Sequence, residues 1–170
     1  MRSFKFLAAA LVASAIALPA QAVVLNWSAS LDQAQEIPAP IPVPGATGMG
    51  LGTIDTGTGD FTWTITYSGL SGPATGLHVH GPAAPGSSAG VQVNVGAISG
   101  LGTPAVGTTL LSDQQIDDVV NGLWYINIHT ALNGSGELRG QINVAAVPLP
   151  AALPMGIFAL GLLGLMRRHA

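Results

Sequence analysis

The chain has 170 residues, with eight acidic, five basic and four histidine residues and no cysteine. Such a length admits one domain with a real core, and the acidic balance repels phosphate backbones, which excludes nucleic acid as a partner. The lack of cysteine removes disulfides, thiolate metal sites and cysteine nucleophiles together, so packing must supply the stability.

At the start, Arg2 and Lys5 precede an apolar run over 6–18, and Ala20 and Ala22 stand at the two small-residue positions a signal peptidase reads. The run is shorter than the roughly 20 apolar residues of a spanning helix. The pattern predicts a signal peptide over 1–22, removed by signal peptidase, and therefore export. The exported region, 23–146, keeps eight acidic residues against the single Arg139, a net charge of about −7.

Within that region the hydrophobic period is two. Phe61, Trp63, Ile65 and Tyr67 alternate with Thr62, Thr64 and Thr66, the pattern of a strand with one face buried. Similar runs fall at 23–30, 49–55, 76–80, 91–95, 106–111, 123–129 and 137–144, separated by Gly- and Pro-rich turns. These predict an all-β fold, an antiparallel Greek-key sandwich or barrel of about eight strands. The prolines of 37–44, at every second position, predict a stiff extended connector. One helix is predicted after Ser112, with Gln115 completing a capping box, Ile116, Val119 and Val120 forming the apolar stripe, and Asn121-Gly122 ending it.

Every imidazole and cation of 23–146 falls in two short segments, at His78, His80, His129 and Arg139. If Leu77 and Val79 face the core, His78 and His80 share the opposite face. The same alternation turns Tyr125, Asn127 and His129 outward on one strand, and Glu137 and Arg139 outward on the next. The turn over 130–136 makes those two strands a hairpin, which sets His129 near Glu137 and Arg139. Alternation leaves open whether the His78-Val79-His80 strand adjoins that hairpin. If it does, three neutral imidazoles make an open site suited to copper or zinc, with Arg139 and Glu137 as candidates for anion or supporting contacts. The competing reading has outward histidines bonded to neighbours and Arg139 paired with an acid.

Weaker patterns have simpler explanations. The run 86–90 (GSSAG) matches the written form of a hydrolase nucleophile elbow but lies in a loop with no helix after it. Asp55 and Asp60 flank a turn that offers too few acids for calcium. Trp63, Tyr67 and Trp124, at alternating strand positions, are expected in the core rather than on a carbohydrate platform.

At the far end, Val147, Pro148, Leu149, Pro150 and Ala151 lead into an apolar stretch to Met166 and then Arg167 and Arg168. This order of motif, span and basic end resembles the VPLPA type of PEP-CTERM sorting signal of Gram-negative bacteria. The resemblance implies handling by an exosortase and a transient membrane helix over 147–170, with an envelope or biofilm-matrix setting rich in exopolysaccharide. A helix over 151–166 reaches roughly 24 Å, a little short of the hydrocarbon core. The alternative is a permanent anchor.

The blocks 31–38 (LDQAQEIP), 46–48 (ATG), 66–73 (TYSGLSGP), 78–82 (HVHGP), 122–130 (GLWYINIHT) and 136–142 (GELRGQI) resemble, in order, the CHRD domain. That resemblance implies a β-rich extracellular domain. The strand from Gly76 to His80 is also similar to the Gly-Phe-His-Val-His strand of copper-zinc superoxide dismutases, whose third copper histidine and anion-guiding arginine would fall at His129 and Arg139. The chain departs from that family in having no disulfide pair, only three histidines in the domain and no zinc loop. Two readings result. One is an exported CHRD module of the envelope or matrix that binds an exopolysaccharide or envelope protein without catalysis. The other is a copper-binding, dismutase-like redox domain using His78, His80 and His129.

Overall fold

A computed structural model describes residues 22–145. Most of the predicted signal peptide and the whole 147–170 sorting tail lie outside the described residues. Among the described residues no helix is long and apolar enough to cross a membrane.

The chain runs β1 (Val24–Leu31), β2 (Thr47–Asp55), β3 (Asp60–Ser68), β4 (Ala74–His80), β5 (Val91–Val93), α1 (Val95–Ser99), β6 (Ala105–Leu110), α2 (Asp113–Val120), β7 (Tyr125–Thr130), β8 (Leu138–Gln141) and β9 (Asn143–Val144). Two antiparallel sheets form a sandwich, one ordered β6-β3-β2-β1-β9 and the other β5-β4-β7-β8. The period-two pattern places the core directly. Leu25, Trp27, Ala29 and Leu31 of β1 are buried while their neighbours are exposed, and on β3 Phe61, Trp63 and Ile65 are buried between half-buried or exposed neighbours.

Aromatic contacts run through the core, from within one sheet across toward the other. Trp27 stacks on Phe61 with ring centroids 5.2 Å apart, and Phe61 meets Trp124 edge-on at 6.0 Å. A Cβ at Gly52 would come 2.6 Å from the Trp27 ring, so the wide indole needs glycine opposite it on β2. Trp63 and Trp124 are buried, which places them in the core and not on a binding platform. Asp55 accepts from the backbone N–H groups of Gly57 and Thr58, closing the β2–β3 turn.

The predicted helix forms as α2, with its capping box complete: the Gln115 N–H donates to Ser112 Oγ, and the Ser112 N–H donates to Gln115 Oε1. Two details differ from the sequence expectation. The run expected as a strand through Val95 stops at Val93, because Asn94 caps a five-residue helix by accepting from the Ala97 N–H. The run expected as one strand over 137–144 is two, because Ile142 donates its N–H to the Trp124 carbonyl between the sheets and the chain then crosses to pair with β1.

The outer face of the β5-β4-β7-β8 sheet is roofed. The proline-rich segment after β1 is tied down by Asn133, whose side chain accepts from the Ile41 N–H and donates to the Ile41 carbonyl. The loop over 81–90 is held by Gln141 donating to the Ala83 carbonyl and Arg139 donating to the Ser87 carbonyl. Tyr125, Asn127, Arg139 and Gln141 therefore point away from the core yet are buried. Strand alternation gives their direction, and the roof reverses the exposure expected of Arg139 and of Glu137, which is fully buried.

Candidate metal centre

Strand β4 pairs antiparallel with β7, in a register that opposes Gly76 to His129, His78 to Asn127 and His80 to Tyr125. Alternation then puts His78, His80 and His129 on one patch of the outer face, half-buried at the margin of the roof. One nitrogen from each ring lies within 4.8 Å of the others. His78 Nδ1 and His129 Nε2 are 3.2 Å apart. That separation is close to the roughly 3.3 Å between two imidazole ligands around a tetrahedral ion with metal–nitrogen bonds near 2.0–2.1 Å.

Two of the tautomers are fixed by backbone. A carbonyl oxygen only accepts, so His80 Nδ1, 2.9 Å from the Ala89 carbonyl, carries a proton, and so does His129 Nδ1, 3.1 Å from the Gly134 carbonyl. As neutral imidazoles both rings then keep Nε2 as the nitrogen free to ligate, and that of His129 faces His78 Nδ1. The His80 Nε2 is buried and has no protein partner among the described residues. Such second-contact hydrogen bonds are what orient histidine ligands in metal sites. Gly76 makes room for the arrangement, since a Cβ there would lie 3.0 Å from both the His78 and His129 rings.

The electrostatics favour the neutral, ligating form. Burial lowers the pKa of His78 below the ordinary 6.5, and the neighbouring imidazoles of His129 and His80 push the same way. Burial also lowers His80; its bond to Ala89 opposes this in part, while the charges of His129 and Arg139 add to it.

The other two predicted site residues have different surroundings. Arg139, 1% exposed, holds its guanidinium carbon 3.6 Å from the centroid of the Tyr125 ring, and its Nη2 donates to the Ser87 carbonyl. His80 stacks nearly parallel on Tyr125 at 5.1 Å. Because β7 lies between β4 and β8, Tyr125 is sandwiched between imidazole and guanidinium, which keeps Arg139 out of contact with His80 although its charge is still felt there. Glu137 lies in a nest of donors made by the Ser71 N–H and hydroxyl, the Thr130 hydroxyl and the Asn133 amide. Burial alone would raise its pKa, but those bonds outweigh it and hold the carboxyl below its ordinary value. A carboxylate so stabilised is a poor base for Ser71 and braces the β7–β8 turn instead.

The sequence reading gives no role to Tyr125, Gly76 or Ala89. Tyr125 was traceable as a same-face neighbour of His129 at i and i+4 of one strand. The contribution of Ala89 is a carbonyl, which no side-chain pattern announces.

These features define a β-sandwich domain with a three-histidine cluster on the roofed face of one sheet. The chain matches the CHRD domain model over residues 27–142, more than half its length, and belongs to the CHRD domain family. No curated protein and no solved structure matches it.

Proposed function

We propose that this protein is an exported CHRD-domain binding module of the bacterial envelope or its matrix, and that what it binds through His78, His80 and His129 is a single transition-metal ion, copper or zinc. The observation that carries the metal reading is the convergence of three imidazole nitrogens within 4.8 Å, two of them held in the ligating tautomer by backbone carbonyls. Three neutral nitrogen donors with a fourth position left to solvent suit copper(II) and zinc(II), whereas calcium and magnesium call for oxygen ligands. Arg139 is buried behind Tyr125 with Nη2 bonded to the Ser87 carbonyl, which favours simple binding over a dismutase-like cycle with an arginine guiding the anion.

Titration of the full-length chain in mild detergent with Cu(II) and with Zn(II), beside the His80→Ala variant, tests the site. One tight equivalent, insensitive to added salt and lost in the variant, is expected. Equal, weak, salt-sensitive uptake by both chains overturns it, because loose attraction to carboxylates is screened and coordination is not.

Export and sorting are proposed from the two ends. Arg2, Lys5, the apolar run and Ala20 with Ala22 support removal of 1–22, and Val147, Pro148, Leu149, Pro150, Ala151, Arg167 and Arg168 support exosortase handling after a transient membrane passage. Intact-mass analysis of protein from the host envelope or medium should show a chain beginning at Val23 and lacking Arg167 and Arg168. A full tail on stably surface-displayed protein would establish a permanent anchor instead.

A further inference from the structure

The loop over 81–90 carries only Gly, Pro, Ala and Ser, so it has no large side chain to bury and its position must be set from outside. Between Ala84 and Gly90 two sheet residues besides His80 supply close side-chain anchors. The Tyr125 hydroxyl accepts from the Ala89 N–H at 3.1 Å and faces the Ala89 carbonyl at 3.4 Å, and Arg139 Nη2 donates to the Ser87 carbonyl at 2.6 Å. Apart from the bond of His80 Nδ1 to the Ala89 carbonyl, the other side-chain contact in this stretch, from the Ser88 hydroxyl to the Ile37 carbonyl, is long at 3.4 Å.

The Ala89 carbonyl is the group that holds the His80 proton on Nδ1. The His80 backbone is paired with Tyr125 and Val91, and its ring meets His78 edge-on, contacts that do not select which ring nitrogen carries the proton. His80 ends β4 at a point where the register with β5 shifts, and its ring packs flat on Tyr125. A single phenol therefore contacts His80 twice, through the stacked ring and through the peptide that receives the His80 N–H. Arg139 supports both contacts, lying on the far face of the ring and clamping the same loop two residues earlier.

We propose that Tyr125 and Arg139 are positioning residues of the metal centre, acting through the 81–90 loop to keep His80 in the rotamer and tautomer that present Nε2 to the ion. The inference deepens the metal reading and rests on it. Neither residue touches the metal. Removing the phenol hydroxyl frees the Ala89 peptide, and His80 Nδ1 then loses its fixed acceptor and samples the tautomer whose protonated Nε2 cannot coordinate.

The test uses the full-length chain and its Tyr125→Phe and Arg139→Lys variants, which keep the ring and the charge respectively. Long-range proton–nitrogen NMR of the metal-free chains reads the His80 tautomer. Competition against a chromophoric chelator reads Cu(II) affinity, and the visible spectrum of the Co(II) form reads ligand geometry. The wild type should hold one tautomer. Tyr125→Phe should show a mixture, bind Cu(II) about 10–100-fold more weakly and shift the Co(II) bands, which a purely structural role would leave unmoved. Arg139→Lys should move the same readouts in the same direction. A single Nδ1–H tautomer with wild-type affinity and spectrum in both variants overturns the positioning role. A wild type that keeps the single tautomer, loses it in Tyr125→Phe, and yet takes up no metal overturns the metal reading and leaves the loop contact standing.

Discussion

His78 Nδ1 and His129 Nε2 lie 3.2 Å apart although the two residues are 51 positions apart in the chain. Their meeting depends on one register, in which β7 lies beside β4 with His129 opposite a glycine. Any side chain at that glycine has to share the space of both rings.

Gly76→Ala should therefore weaken metal binding with little loss of stability. The added methyl would sit 3.0 Å from each imidazole, tight enough that the rings must shift by a few tenths of an ångström. An affinity for Cu(II) about tenfold below wild type is expected, with a near-unchanged thermal midpoint. Wild-type affinity in a folded Gly76→Ala chain would show that the ion does not sit between these rings.

Glu137→Gln should be costly at neutral pH and change the acid limb of the stability curve. The carboxylate accepts from Ser71, Thr130 and Asn133, and an amide in its place turns a donor toward donors. A loss of about 2–4 kcal/mol follows from breaking charge-assisted bonds in a buried nest. Because the folded pKa lies below the ordinary 4.5, the wild-type contribution is fully present above 4.5 and is lost as pH falls through the folded value. Denaturant unfolding across that range should show a steep acid decline in the wild type and a flatter one in the variant.

Glu36→Gln should do the reverse. Glu36 is 4% exposed, and its Oε2 and the Asn127 Oδ1 are two buried acceptors without a hydrogen-bond partner among the described residues, both beside Gly136. Burial raises the Glu36 pKa, and the Ile37 N–H, Arg139 and Asn127 offset this only in part. A carboxyl raised in the fold holds its proton more firmly there than in the unfolded chain, so stability declines as pH rises from 4.5 through the folded value. An amide is neutral throughout and offers an N–H to Asn127. A gain of about 1 kcal/mol at neutral pH, vanishing in acid, should appear in thermal melts at the two conditions.

Trp124→Ala should cost about 3–5 kcal/mol, the range for a large aromatic removed from a core. Trp124 is fully buried, meets Phe61 edge-on and fills the space beside Gly81, where a Cβ would lie 2.6 Å from the indole nitrogen. A change below about 0.5 kcal/mol in equilibrium unfolding, the scale of a surface substitution, would contradict this placement.

The sandwich was legible because β1 and β3 alternate cleanly and Ser112 with Gln115 spells a helix start. Short elements were less so. Asn94 caps a helix too brief to show a 3.6-residue period, and Ile142 changes sheets without a glycine or proline to mark the switch. The directions of His78, His80 and His129 followed from alternation, but their meeting depends on which strands are neighbours, a long-range pairing that local pattern does not contain. The burial of Arg139 was illegible for a related reason. The sequence shows that it points away from the core, whereas its cover comes from residues some 50 to 100 positions away, at Ser87, Pro85 and Ile37.

The return of β9 to β1 has a mechanical side. Among the described residues two residue pairs, Trp27 with Val144 and Ser28 with Asn143, the bond from the Ala145 N–H to Asn26 and the packing of Val144 on the core fasten the last strand. A pull on the C-terminal end of the domain meets this edge first and peels a short antiparallel ribbon one bond at a time. Peeling halts at Ile142, fully buried and bonded to Trp124, before any strand carrying a histidine bears load. The domain thus has a compliant end, able to yield under tension while the imidazole cluster keeps its geometry.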